Sequence, residues 1–247
     1  MPEAPGATIV RVRARPGSIA AAARRVWEGC VDDINARVRS LYDVAARSYE
    51  SELGHGIAVG ELEHWRADLA FALHERAGLV AADVGAGTGV FSRFLAASGY
   101  EVVGIEPSSG MIAQALSQPV AGVVYVQGDA MGIPERDAGW DLIAARQSVC
   151  YLEDPLRAFR CWLDLLAPGG RVLIVEGLWS RASWNDEDLV DALPLSCVQT
   201  RSALTYLLRC AGFGSVRQRW LSAVNRHHGL GDGDVGSRYV VVAGPRA

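Results

Sequence analysis

Acids that end apolar runs, and glycines at alternate positions, are the residues of this chain best placed to do chemistry. The run at 79–82 ends in Asp83, glycines follow at 85, 87 and 89, and Val90, Phe91, Phe94 and Leu95 then recur at helical spacing. This pattern reads as a buried strand, a glycine-rich turn and a helix. Such a turn lets the backbone approach a ligand closely, and the helix start offers it unpaired N–H groups. A dinucleotide cradle, G-x-G-x-x-G, needs glycine at 90, where the chain has Val90, so a pyrophosphate fits poorly. A second acid, Glu106, ends the next apolar run at 102–105, and a third, Asp129, follows Gly128. Ionised carboxylates are acceptor-only groups, suited to ligand hydroxyls and amines.

An open sheet is what must position them. Apolar runs at 79–83, 102–105, 123–126, 140–145 and the stretch ending in Glu176 read as strands. Helical patterns separate them: one from Pro107–Gly110 with Met111, Ile112 and Leu116, and one opened by Asp154-Pro155 and closed by Pro168-Gly169-Gly170. Strands alternating with helices make a parallel sheet covered on both faces. Its ligands sit beyond the carboxyl ends of the strands. A helix near 202–210 and strands at 215–221 and 239–243 complete the tail.

Residues 1–18 read as a flexible arm, 19–75 as a helical cap and 76–247 as the core. Within the cap, Val26, Trp27, Cys30, Val31, Ile34, Val38, Leu41 and Tyr42 form a stripe, predicting one or two helices to about Leu53. His55 lies on a glycine-rich connector. Leu62, Trp65, Leu69 and Leu73 predict a helix ending at Gly78 and carrying His64 and His74. The stretch 178–196, with Trp179, Trp184 and the acids 186–188, follows the fifth strand and is placed as a lid. The stretch 225–237, with His227, His228, Asp232 and Asp234, reads as an exposed hairpin tip. It lacks the glutamate and spacing of a calcium loop, and no metal site is expected.

Four ordered motifs resemble those of the class I S-adenosylmethionine (SAM) dependent methyltransferases: D-V-G-A-G-T-G at 83–89, the acid Glu106, G-D-A at 128–130 and L-A-P-G-G-R-V-L-I-V-E at 166–176. The resemblance covers about residues 75–220. Tyr42, Asp43, Ala46 and Tyr49 further resemble the Y-D-x-x-A-x-x-Y of small-molecule members such as the quinone C-methyltransferases, where this segment folds over the cofactor. The resemblance implies a doubly wound, Rossmann-like, seven-stranded and mostly parallel sheet of order 3-2-1-4-5-7-6, the last strand antiparallel. It implies SAM as cofactor, held by Tyr42, Tyr49, Asp83, Gly85, Ala86, Gly87, Glu106, Pro107, Met111, Asp129, Ala130, Met131 and Arg146. In that arrangement Glu106 takes the ribose diol, Asp129 the adenine amine, and the glycine turn with Asp83 the amino-acid end. The segment 146–151 lines the acceptor pocket, with Gln147, Tyr151 and His64 as catalytic candidates and Glu176 and His55 as further candidate bases. Many relatives carry a histidine where this chain has Cys150, which removes the usual family base.

Composition excludes several classes. The 24 basic residues are all arginine, dispersed among 28 acids for a net charge of −4, so no basic stripe for nucleic acid forms. The five cysteines include no C-x-x-C pair, so no disulfide framework or zinc site is expected. No apolar run reaches the ~20 residues of a membrane span, and Arg24 and Arg25 cut short the one resembling a signal peptide. A cytoplasmic monomer or homodimer acting on a small, partly apolar acceptor follows as the expectation. Two competing readings keep the cofactor: another SAM reaction, such as cyclisation or elimination, and a non-catalytic SAM-binding partner. The fold fixes the cofactor and not the acceptor.

Overall fold

Leu79–Val84 forms β1 at the middle of a seven-stranded sheet, and its near-continuous apolar character is what a strand covered on both faces requires. Tyr100–Glu106 (β2) and Val123–Gln127 (β3) lie to one side, and Trp140–Arg146 (β4) and Leu166–Gly177 (β5) to the other. Ser215–Trp220 (β6) and Arg238–Gly244 (β7) finish the sheet, in the order β3-β2-β1-β4-β5-β7-β6. The first five strands run parallel and β7 is antiparallel to both neighbours, as the resemblance implied. The computed structural model describes residues 34–51, 55–73, 78–181, 186–197 and 199–246. The expected arm, Trp27, Cys30, His74 and Trp184 lie outside them.

Alternation along each strand divides the core. Val84, Ala145, Ile174 and Val241 face one layer with Phe159, Trp162, Leu204 and Leu208. Those side chains belong to Pro155–Leu165 (α5) and Arg201–Ala211 (α8). Ala81, Ala144, Val175 and Val240 face the other, with Trp65, Leu69, Phe91 and Phe94, from Leu62–Leu69 (α2) and Val90–Ala97 (α3). The helix starts are chemically fixed. Ser108 caps Ser109–Leu116 (α4) by accepting from Met111 N at 3.1 Å. Asp154, followed by Pro155, caps α5 by accepting from Arg157 N at 2.9 Å.

Three details depart from the sequence expectations. α2 ends at Leu69, where Ala72 N and Leu73 N both donate to the Leu69 carbonyl and the chain turns before Gly78. The 166–170 stretch belongs to the start of β5, with an irregular register between Trp140 and Leu142; a Cβ on Gly170 would lie 2.4 Å from Trp140 O. The stretch 225–237 is more than a hairpin tip. It continues a helix, Ser222–His227 (α9), and although 231–235 is exposed, Asn225 is fully buried. Residues 34–45 (α1) bring Val38 and Tyr42 against Tyr151 and against Leu189 and Leu193, beside the helix Glu187–Ala192 (α6) in the stretch expected to be a lid.

Candidate functional site

Gly85, Gly87 and Gly89 all adopt positive φ, at 70°, 56° and 83°, a region side chains rarely occupy. Their reasons differ. A Cβ on Gly85 would lie 2.4 Å from Ser148 Cβ, and one on Gly89 2.0 Å from Tyr125 Oη, so both are glycine because neighbours pack on them. Around Gly87 the nearest atom would be Tyr49 Cε1 at 3.9 Å, so this glycine stays open toward the cap.

One carboxylate joins two turns. Gly87 N donates to Glu106 Oε2 at 2.9 Å and Ser108 N donates to Oε1 at 2.8 Å. Each oxygen keeps a further lone pair for a ligand. Burial raises the Glu106 carboxyl to about 7 against the pull of those two donors. Asp83, also buried, accepts from Ser92 Oγ at 2.6 Å through Oδ2, while its enclosed Oδ1 has no partner among the described residues. Burial raises it to about 6. Thr88 Oγ1 is likewise enclosed, beside the Glu50 carboxylate whose pKa it helps to lower. A buried polar atom left without a partner, as Asp83 Oδ1 is among the described residues, is costly.

Most of the remaining residues implied for the cofactor lie on the segments that follow β1, β2 and β3. Ala86 N donates to Ile105 O, and its methyl packs with Ile112, Ala115 and Tyr125. Pro107 O accepts from Gln127 Nε2, and Met111 is buried in α4. Gly128 N donates to Glu106 O at 3.2 Å, bringing the end of β3 beside that of β2. Asp129 is exposed and caps its own turn through Met131 N; Ala130 O accepts from Trp162 Nε1; Met131 is exposed.

The cap is tied down by side chains. Asp43 Oδ1 accepts from Ser108 Oγ at 2.6 Å and Gly110 N at 2.8 Å. Glu50 pairs with Arg93 Nη2 at 2.9 Å, and Arg93 Nη1 donates to Thr88 O in the glycine turn. Tyr49 stacks on His55 at 4.1 Å, and Tyr42 meets Tyr49 and Tyr151 edge-on at 5.8 and 5.3 Å. Burial pushes all three phenols up, so they are donors. Arg146 donates to His55 O at 3.0 Å and lies over Trp65 at 5.2 Å.

At the end of β4, Gln147 has φ 55°, the one positive value at a non-glycine among the described residues. Strain of this kind persists only where the surroundings impose it. Here Gln147 N donates to Val175 O at 2.8 Å and Ser148 Oγ to Val84 O at 2.8 Å. Glu176 Oε1 accepts from Val149 N at 3.1 Å, and burial raises that carboxyl to about 7. Cys150, Glu176, Trp179, Gln199 and Tyr239 line a cavity of about 10 Å³, room for about one water. His64 is not brought to this edge by any contact: its ring lies 4.9 Å from His227, where α2 meets α9. The sequence reading passed over Glu61, Asn225 and Arg238. One signal was available, a charged residue opening the apolar run 239–243. Among the described residues no group of three or more His, Cys, Asp or Glu could hold a metal, and no helix is long and apolar enough to cross a membrane.

A methyltransferase domain model matches residues 82–174. The chain is 31% identical to a demethylmenaquinone methyltransferase of Clavibacter sepedonicus over 143 residues, 57% of this chain and 58% of that one. It is 28% identical to a malonyl-[acyl-carrier protein] O-methyltransferase of Yersinia pestis over 229 residues, 81% of each. The chain spans between 54% and 58% of the length of the first three curated relatives. Among solved structures it resembles the Haemonchus contortus phosphoethanolamine N-methyltransferase 2 bound to phosphomonomethylethanolamine and S-adenosylhomocysteine. That likeness has a TM-score of 0.60 at 18% identity, covering 83% of this chain and 58% of that one, and it speaks to the fold.

Proposed function

We propose that the chain is a class I SAM-dependent methyltransferase that transfers the methyl group of SAM to an oxygen, nitrogen or carbon atom of a small, partly apolar metabolite; the domain match over residues 82–174, the strand order and the methyltransferase relatives support this reading. The observation that carries this is the Glu106 bridge. A buried carboxylate holds the open glycine of the turn and retains acceptor capacity beside Asp83 Oδ1, an enclosed atom that lacks a partner among the described residues.

When bound, SAM supplies a methyl group already activated by a sulfonium, so the work left to the protein is alignment. Glu106 offers its free lone pairs to a ribose diol, and Asp83 with the Gly87 turn receives the amino-acid end. Asp129 and its neighbours Ala130 and Met131 edge the adenine side. Tyr42 and Tyr49 cover the turn from the cap and, as protonated phenols, donate hydrogen bonds without competing as nucleophiles. Gln147, held in its strained conformation, and Tyr151 orient the acceptor. An acceptor whose own group ionises near neutral pH needs no base. On this reading the partner is a small molecule of secondary metabolism, with neither nucleic acid nor membrane involved, and the enzyme is a cytoplasmic monomer or homodimer.

The test is calorimetric titration with S-adenosylhomocysteine after metal chelation, followed by product analysis with labelled SAM. Wild type is expected to bind in the micromolar range, and Glu106→Ala at least tenfold more weakly. Two charge-assisted hydrogen bonds are each worth about 1.5–3 kcal/mol, and half their sum is already that loss. Unchanged affinity in a folded Glu106→Ala protein would falsify the cofactor-site reading. Methylthioadenosine in place of S-adenosylhomocysteine as product would point to another SAM reaction.

A further inference from the structure

Buried at the carboxyl end of β5, Glu176 directs its carboxyl at its own chain. Its Oε1 accepts from Val149 N at 3.1 Å. Burial raises the carboxyl, and against that pull the N–H groups of Cys150 and Val149, the Trp179 indole and the Ser148 N–H. Consecutive backbone N–H groups of this kind form a concavity for an anion. A carboxylate has about four acceptor sites, and donors from two different segments converge on this one.

The same residues belong to a ring of hydrogen bonds. Trp179 N donates to Gln199 Oε1 at 2.6 Å, Gln199 Nε2 to Ser196 O at 2.8 Å, and Ser196 Oγ to Cys150 O at 2.6 Å. Ser196 is buried in the short helix Pro194–Cys197. Glu176, facing both Trp179 and the turn at 148–150, is the link that closes the ring. The Trp179 ring folds back over Gly177, where a Cβ would lie 2.5 Å from its Cζ2, so the indole approaches the carboxyl from a fixed side.

Two observations set Glu176 apart from a general base. A base must reach the proton it takes from the substrate. The cavity of about 10 Å³ at its side, lined by Cys150, Trp179 and Gln199 of the same ring, has room for about one water. Its acceptor capacity is turned to donors of the chain. What the carboxylate does fix is the turn Val149–Tyr151. That turn follows Gln147 at φ 55° and sets Tyr151 edge-on to Tyr42 of the cap at 5.3 Å.

We propose that Glu176 is a positioning residue for methyl transfer, whose carboxylate closes the ring and so fixes Gln147 and Tyr151 relative to Trp179. The inference rests on the methyltransferase reading and deepens it, because Gln147 and Tyr151 are the groups given to the acceptor there. The test compares Glu176→Gln and Glu176→Ala with Leu208→Ala, which removes a fully buried side chain of α8 and touches no member of the ring. Hydrogen exchange at 148–151 should quicken at least about tenfold in Glu176→Ala, the cost of one buried hydrogen bond. Glu176→Gln should quicken it less, since its amide oxygen can still accept from Val149 N. The emission of Trp179, taken as the difference between each protein and its Trp179→Phe counterpart, should shift in both Glu176 variants. Leu208→Ala should quicken exchange across α5, α8 and β7 without singling out the turn and without shifting that emission. If Glu176→Gln leaves turn exchange and Trp179 emission as in wild type, or if the Glu176 variants behave as Leu208→Ala does, the positioning role is overturned. S-adenosylhomocysteine affinity, measured by calorimetry, should stay close to the wild-type value in both Glu176 variants. No binding by wild type would overturn the methyltransferase reading, whereas exchange and emission on the ligand-free protein judge the ring by themselves. Should Glu176→Ala fail to fold, the isosteric Glu176→Gln decides.

Discussion

The two halves of the carboxyl edge hold their polar groups in opposite ways. On the β1–β2 side, backbone N–H groups do the holding: Gly87 and Ser108 fix both oxygens of Glu106, and Ser108 Oγ in turn satisfies Met111 N and reaches Asp43. On the β4–β5–β7 side, long charged side chains stand among aromatic rings. Arg146 lies over Trp65 and donates to His55 O, and Arg238 lies near Trp179 with its enclosed Nε unpartnered among the described residues. A site held by backbone is specified by chain geometry and tolerates few changes. A cluster held by side chains depends on packing between distant elements and can be altered without unfolding the strands beneath it.

The sharpest way to break that contrast is to damage the backbone-held half. Gly89→Ala sets a Cβ 2.0 Å from Tyr125 Oη at a φ of 83°. The left-handed conformation costs about 1–2 kcal/mol for a side chain and overpacking a further 1–3 kcal/mol. Chemical denaturation should show a loss of about 3 kcal/mol or more, against less than about 1 kcal/mol for an alanine at exposed Tyr206. A Gly89→Ala protein as stable as wild type would mean that packing does not dictate this turn.

A second effect is shared by both halves and separates them by residue. Burial raises Asp83 to about 6 and Glu106 and Glu176 to about 7, above the ordinary carboxylate range of their unfolded state. Each folded pKa is the higher one, so the stability these groups lend is complete below the unfolded value and is lost as pH rises through the folded value. The ligand-free protein should therefore lose several kcal/mol between pH 4.5 and pH 7.5, up to about 3 kcal/mol for each glutamate and about 2 kcal/mol for Asp83, measured as denaturation midpoints across that range. Glu106→Gln should remove the cofactor-side share of the slope and Glu176→Gln the acceptor-side share. A flat profile in wild type would show that these carboxyls reach water more freely than their burial suggests.

What the sequence made legible follows the same division. The glycine turn, Glu106 and the strand order could be read because tight turns and doubly buried strands restrict residue type locally. Gly89 must be glycine for Tyr125 to fit, and residues 79–82 and Val84 are apolar because helices cover both faces of the sheet. Arg238 gave one local signal, a charge opening an apolar run, but its surroundings come from Asn225, which precedes it by a loop, and from Arg146 and Trp179 at two other strand ends. The helix bound at Leu69 was missed because Leu73 keeps the apolar spacing after the hydrogen-bond ladder has ended. Asn225 was read as part of a loop tip because nothing local shows that its amide is consumed by β7.

The smallest expected effect lies where the halves meet, in the cap. Asp43 Oδ1 accepts from Ser108 Oγ and Gly110 N, so the cap segment supplies an acceptor to the N-terminal turn of α4. That position combines a cap hydrogen bond with the favourable field of a helix start. Ser108 still accepts from Met111 N without it, so α4 keeps one cap when Asp43 is removed. Asp43→Ala should therefore cost about 1 kcal/mol in global stability. Its larger consequence is local: residues 34–51 lose one anchor and keep the pair between Glu50 and Arg93. Hydrogen exchange in 34–51 should quicken several-fold while β1, β2 and α3 keep their protection, and S-adenosylhomocysteine affinity should fall only a few-fold, since Glu106 and the glycine turn are untouched. A double variant, Asp43→Ala with Glu50→Ala, should release the cap further and lower affinity more than either change alone. Equal exchange in 34–51 for wild type and the double variant would show that Tyr42, packed against Tyr151, Leu189 and Leu193, holds the cap by apolar contact alone.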